Sequence, residues 1–135
     1  MKLLLIAEKP SVAKDVAPFL GTVTGRNKDF IEVDGGRVCV TWCVGHITEL
    51  ASPDEYLPAD IPVNRSGRKA WRKSDLPILP QKWIVQVTLR DRFNAIKELL
   101  SRVKSAGGQV LHAGDPDREG QLLVDRVLEL CKVDP

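Results

Sequence analysis

The chain has 135 residues, 43% of them hydrophobic, and a formal net charge of +2. That length and apolar share suit one compact domain with a real core, not a disordered segment, and so slight a charge does not by itself indicate a nucleic-acid partner. No apolar run approaches a membrane span, and no charged-then-apolar leader with a cleavage site is present. The three cysteines, Cys39, Cys43 and Cys131, are odd in number and lack metal-ligand spacing, so they read as free thiols in a reducing cytoplasm.

In chain order, Leu3-Leu4-Leu5-Ile6-Ala7 is a short apolar run bounded by a turn, the pattern of a buried parallel strand. Glu8 and Lys9 stand at its carboxyl end. Pro10 or Ser11 starts a helix through about Leu20 with Val12, Val16 and Phe19 or Leu20 on one face. Residues 21–28 read as a polar connector. Phe30 to Val33, the turn Asp34-Gly35-Gly36 and Arg37 to Val44 form a β-hairpin pattern. Residues 47–57 read as short helical turns. Residues 58–82 are rich in proline and charge and read as an irregular basic insert, long for a loop without function. Trp83 to Leu89 alternates weakly as a strand, with Trp42 and Trp83 assigned to the core. Arg90 to Ser105 is the clearest amphipathic helix, with Phe93, Ile96, Leu99, Leu100 and Val103 at helical spacing. Ala106-Gly107-Gly108 stops it. A strand at 109–113 and a helix over 119–132 carrying Leu122, Leu123, Val127, Leu128 and Leu130 complete the order. The expected fold is an α/β layered sheet, mostly parallel, with flanking helices and a hairpin insert.

Chemistry concentrates where the last strand gives way to the last helix, at Asp115-Pro116-Asp117-Arg118-Glu119-Gly120. Alternate residues of an extended segment point the same way, so Asp115 and Asp117 can face one spot with Glu119 behind. Clustered carboxylates repel unless a proton or a cation intervenes, and a hard divalent cation with oxygen ligands, Mg²⁺ above all, suits them. The competing reading is a turn in which Asp117 merely caps the helix. Glu8 lies at the end of another strand, and in open α/β sheets ligands bind outside the carboxyl ends of the strands. Gly120 lets backbone approach closely at the helix start. Arg65, Arg68, Lys69, Arg72 and Lys73 surround Trp71, a run that can contact phosphate and stack on a base, or can be a solvated loop.

An N-terminal strand ending in Glu, followed by a strand ending in Asp-x-Asp-x-Glu-Gly, resembles the Toprim domain. Ile6-Ala7-Glu8-Lys9-Pro10-Ser11, Thr41-Trp42-Cys43-Val44-Gly45-His46, Asp75 to Pro80 with Trp83, and His112 to Gln121 are similar to the start of bacterial type IA DNA topoisomerases of the topoisomerase III kind. The resemblance runs nearly end to end. It implies that residues 1–135 are a single Toprim domain, an N-terminal piece of a larger enzyme that cleaves, passes and reseals single DNA strands without ATP. It implies Glu8 and Lys9 as catalytic groups, with Glu8 protonating the leaving sugar oxygen and Lys9 on a phosphate oxygen. Asp115 and Asp117 become the primary Mg²⁺ ligands, Glu119 a ligand or outer partner with not all three binding directly, and Glu8 a further member of the metal site. Lys9, His46 and Arg118 become DNA contacts, to which the basic run adds Arg68 and Arg72. The partners implied are single-stranded or negatively supercoiled DNA and the remaining domains of the same enzyme. The family's nucleophilic tyrosine lies on another domain, and Tyr56, the one tyrosine here, sits in a Pro-bounded surface setting unlike it. The chain alone is therefore expected to be inactive. His46 can serve DNA or a structural hydrogen bond, and His112 a structural or supporting role beside the metal loop. Two rivals use the same carboxylates: a Toprim primase or nuclease, and a stand-alone module that binds Mg²⁺ and nucleic acid.

Overall fold

A computed structural model describes residues 1–133. Seven strands and three α-helices run in the order β1 (Leu3–Ala7), α1 (Pro10–Leu20), β2 (Val23–Arg26), β3 (Phe30–Val33), β4 (Val38–Trp42), β5 (Thr48–Leu50), β6 (Val85–Val87), α2 (Arg90–Ser105), β7 (Gln109–Ala113) and α3 (Arg118–Cys131). Five strands form one sheet in the order β2-β3-β4-β1-β7. The pairs β1–β4 and β1–β7 are parallel, whereas the β2-β3-β4 flank is an antiparallel meander.

Two compact units divide the chain: residues 1–48 with 87–135, and residues 49–86. In the first, β1 lies inside the sheet and is covered on both faces, which is why it reads as unbroken apolar sequence. Its successive side chains point to opposite faces. Leu5 and Ala7 join Ala13 and Ala17 of α1, together with Ile31, Val33, Val40 and Trp42. Leu4 and Ile6 join Ile96, Leu99, Leu100 and Val103 of α2 and Val124, Val127 and Leu128 of α3. The sheet is thus sandwiched, with α1 on one face and α2 and α3 on the other. The hairpin, the two long helices and the strand at 109–113 stand where the periodicity places them, and Cys39 and Cys43 are buried free thiols.

Arg92 of α2 fastens this unit from within. Its guanidinium donates to the carbonyls of Trp42 (2.8 Å) and Asp29 (2.8 Å), and to the Asp29 carboxylate (3.2 Å). It also lies over the Trp42 ring, 4.9 Å from the centroid.

The second unit holds the two-stranded sheet of β5 and β6 and otherwise short turns. The Tyr56 hydroxyl accepts the Ile84 amide (2.9 Å), and its ring meets Trp83 edge-on. Asp54 accepts the Lys69 amide (3.0 Å) and the Trp71 indole N–H. The Lys69 ammonium donates to the carbonyls of Leu57 and Pro58. Side chain to backbone bonds replace regular structure here, as expected of a segment poor in apolar periodicity.

Four readings of the sequence need correction. The polar connector contains β2, an edge strand whose alternate residues face solvent, so no apolar pattern marks it. Residues 47–57 hold β5 before a single 3₁₀ turn at Pro53–Tyr56. Trp83 is 55% exposed, outside the core. Leu122 and Leu130 also face outward, since α3 buries only the stripe through Gly120, Leu123, Val124, Val127 and Leu128.

Candidate active site

The register of the sheet assembles the site. β1 and β7 run parallel with Ile6 beside His112 and Ala7 beside Ala113. The residues that follow each strand, Glu8-Lys9 and Gly114-Asp115, therefore leave the same edge side by side. Lys9 closes the gap: its ammonium lies 2.8 Å from Asp115 Oδ2 and 3.2 Å from Glu8 Oε1. The hydrogen bond to Asp115, then that to Glu8, raises Lys9 to about 12. The same ammonium holds the Asp115 carboxyl below its usual range.

Glu8 is 9% exposed. Its Oε2 is buried and has no hydrogen-bond partner. It faces Gly120 in the first turn of α3, where an added Cβ would stand 2.5 Å from Oε2 and 2.6 and 2.7 Å from the Asp115 carbonyl and amide. The close backbone approach expected at Gly120 is thus present, and it is what lets the acidic loop fold over Glu8. A Cβ on Gly114 would meet the Gly120 carbonyl and His112, so the loop is tight at both glycines.

The three acids of the loop do not converge. Asp117 donates its amide to the Asp115 carbonyl at 2.8 Å, a tight turn around Pro116 that breaks the extended alternation. Its carboxylate caps α3 by accepting the Gly120 amide (2.7 Å), as in the competing reading. Glu119 turns to His46, whose Nε2 lies 3.2 Å from Glu119 Oε1. Gly45, in the left-handed region at φ +57°, delivers His46 from the end of β4. The His46 carbonyl accepts from the Thr88 hydroxyl. Arg118 is exposed at the first position of α3. In the second unit, Arg68 is exposed, whereas Arg72 is committed to Asp75 through paired hydrogen bonds.

Among the described residues no three acidic, histidine or cysteine side chains form a ready-made cation cage. Mg²⁺ usually keeps several waters and takes only one or two protein carboxylates. Glu8 and Asp115 supply that number of hard oxygen donors, drawn around a positive charge that Lys9 provides. The orphaned Glu8 Oε2 is an acceptor still lacking a donor or cation. The donor set fits a hard divalent ion.

A family model described as the Toprim domain matches residues 3–135. The chain belongs to the Toprim family. The α/β sheet is that expected from the resemblance. DNA topoisomerase 3 of Salmonella typhimurium is 44% identical to this Toprim chain over 132 residues, covering 96% of the chain and 18% of the relative. DNA topoisomerase 3 of Vibrio cholerae is 40% identical over 135 residues, covering 98% and 19%. That of Staphylococcus saprophyticus is 34% identical over 131 residues, covering 96% and 17%. This Toprim chain thus spans about a fifth of the length of the curated relatives it matches.

Sequence reasoning singled out Glu8, Asp115, Asp117 and Glu119 but not Gly114, Gln121 or Asp125, which bond to His112 or to one another beside the loop. The spacing of Gln121 and Asp125, four residues apart on a helix, was the one available signal.

Proposed function

We propose that this Toprim domain serves a type IA DNA topoisomerase of the topoisomerase III kind, which cleaves and reseals single DNA strands without ATP. The observation that carries the proposal is the meeting of Glu8, Lys9 and Asp115 at the carboxyl ends of two adjacent parallel strands, with one Glu8 oxygen buried and unpartnered. Glu8 and Asp115 would hold Mg²⁺, which would supply positive charge to phosphate oxygens, and Asp117 and Glu119 would join them only by leaving the α3 cap and His46.

The protein's own groups divide the remaining work. For cleavage Glu8 acts as its carboxylic acid, passing its proton to the departing sugar oxygen and ending as the carboxylate that pairs with Lys9. Lys9, half-exposed, sets its charge against a phosphate oxygen as the phosphodiester is exchanged. Arg118 and His46 flank this edge as DNA contacts, and Arg68 offers a further one. The nucleophile is a tyrosine beyond these residues. Tyr56 does not suit the role, because its hydroxyl is already bonded to the Ile84 backbone. DNA, single-stranded or negatively supercoiled, is the substrate, and further domains of the same enzyme are the partners. The reducing cytoplasm suits three free thiols, and no described helix is long and apolar enough to cross a membrane.

The test has two stages. Calorimetric titration of Mg²⁺ into the chain should give binding that Asp115→Asn/Asp117→Asn removes. A longer protein joining this domain to a tyrosine-bearing remainder should relax negatively supercoiled DNA without ATP, and Glu8→Ala should abolish its cleavage. Normal cleavage by Glu8→Ala would sink the assignment.

A further inference from the structure

His112 lies at the end of β7 on the face that α2 and α3 cover, beside the buried Ile6. Its side chain is 14% exposed. Its Nδ1 accepts the Gly114 amide at 3.2 Å, so that nitrogen carries no proton. The proton is then on Nε2, which points at the Gln121 carbonyl (3.3 Å) and at Asp125 Oδ1 (3.4 Å). Gln121 in turn donates its side-chain amide to both Asp125 oxygens, at 3.1 and 2.9 Å, and fixes the carboxylate that faces the ring.

The imidazole therefore spans the acidic loop from both sides. One nitrogen grips Gly114, the residue before Asp115, and the other grips the first turns of α3, just beyond Asp117. A Cβ on Gly114 would stand 2.8 Å from His112 Cε1, so ring and loop already touch. Such a carboxylate–imidazole–backbone chain resembles the outer bonds that hold ligands in place around metals. β7 is held in register with β1 over its whole length, from Gln109 beside Leu3 to Ala113 beside Ala7.

We infer that His112 is a positioning residue for the catalytic loop: its ring, oriented by α3, holds the Gly114 amide and thereby sets where Asp115 meets Glu8 and Lys9. The inference rests on the reading of Asp115 as a working carboxylate. Two variants separate it from a merely structural role. His112→Phe keeps a ring of similar size and removes both nitrogens. His112→Asn retains a short acceptor within reach of the Gly114 amide.

The experiment measures four quantities in the 135-residue chain: Mg²⁺ affinity by calorimetry, hydrogen exchange at the Gly114 amide, the NMR signals of the Asp115 carboxyl and the Lys9 ammonium without metal, and the melting temperature. His112→Phe should unprotect Gly114, displace the Asp115 and Lys9 signals, and weaken Mg²⁺ on the order of tenfold. His112→Asn should restore all three, with melting temperature unrelated to the effect. The inference is overturned if Gly114 loses protection while the Asp115 and Lys9 signals and Mg²⁺ affinity stay as in the wild type. It is also overturned if losses in both variants simply follow the melting temperature. A wild type that binds no Mg²⁺, but whose Asp115 and Lys9 signals respond to His112→Phe and recover in His112→Asn, would remove the metal reading and leave the positioning role standing.

Discussion

Gly120→Ala puts the packing of the site to a direct test. In an exposed helix interior, replacing Gly by Ala stabilises by about 1 kcal/mol. Here the new Cβ would fall 2.5 Å from Glu8 Oε2 and 2.6 and 2.7 Å from the carbonyl and amide of Asp115. Two of those atoms are backbone and cannot swing aside as the tip of a side chain can. Overpacking of this kind costs about 1–3 kcal/mol. Set against the helix gain, the net is a loss of roughly 1 kcal/mol, about 4 °C in melting temperature for a domain of this size. The strain falls on Glu8 and Asp115 together, so Mg²⁺ affinity should drop in the same variant. Thermal unfolding by circular dichroism and Mg²⁺ calorimetry are the assays. A variant that melts higher than the wild type and binds Mg²⁺ as well would show that the loop has room to spare, and the close approach at Gly120 would lose its explanatory place.

Three further outcomes follow from the geometry. Arg92→Met should cost about 2–4 kcal/mol in urea unfolding, below the range for a fully buried pair because Asp29 is partly exposed, and chiefly through backbone carbonyls left without a donor. Burial pushes the Cys43 thiol from its ordinary 9.0 up to about 12. The folded state then holds a proton that the unfolded state has released, so stability should decline as pH rises from about 9 toward 12, and disulfide-reagent labelling at pH 8 should reach the half-buried Cys131 first. The Trp71 indole bond, then the Lys69 amide, hold the Asp54 carboxyl below its usual range. That bond adds stability above the ordinary carboxylate range and loses it as pH falls through the lower folded value, so the Trp71 indole N–H signal should move only under strongly acidic conditions, and at neutral pH in Asp54→Asn.

How much of this was legible in the sequence varies with the kind of signal each residue carries. β1 and α2 announce themselves because burial on two faces, or on one helical stripe, repeats in the residue pattern. β2 does not, since Thr24 and Arg26 face water and its pairing partner is decided by the hairpin beside it. Trp83 looks like core by its size alone, yet its packing partner is the local Tyr56 ring. Glu8 and Asp115 were identifiable as acids at strand ends. That they flank Lys9 depends on β1 and β7 being neighbours, a choice of topology that no local pattern records. Asp117 and Glu119 were placed by alternation, which fails where the turn around Pro116 shortens the path and the helix needs a cap. His112 was read as structural or supporting only from its place before the metal loop, whereas its bonds come from three atoms contributed by α3 and the loop, which no local pattern records.

The placement of β1 also bears on the order of assembly. Its residues pair with β4 on one side and with β7 on the other, and the bond from Lys9 to Asp115 joins positions 106 apart in the chain. Long-range parallel pairings form slowly, because loop closure must precede the contacts that reward it. During synthesis from the N-terminus, β1, α1 and the β2-β3-β4 meander can associate early, while β1 keeps one edge bare until α2 and β7 emerge. The acidic loop comes later still. Glu8 and Asp115 therefore cannot meet in a half-made chain, and the Glu8-Lys9-Asp115 edge arises only as the sheet is completed, which makes the candidate site itself a late marker of successful folding.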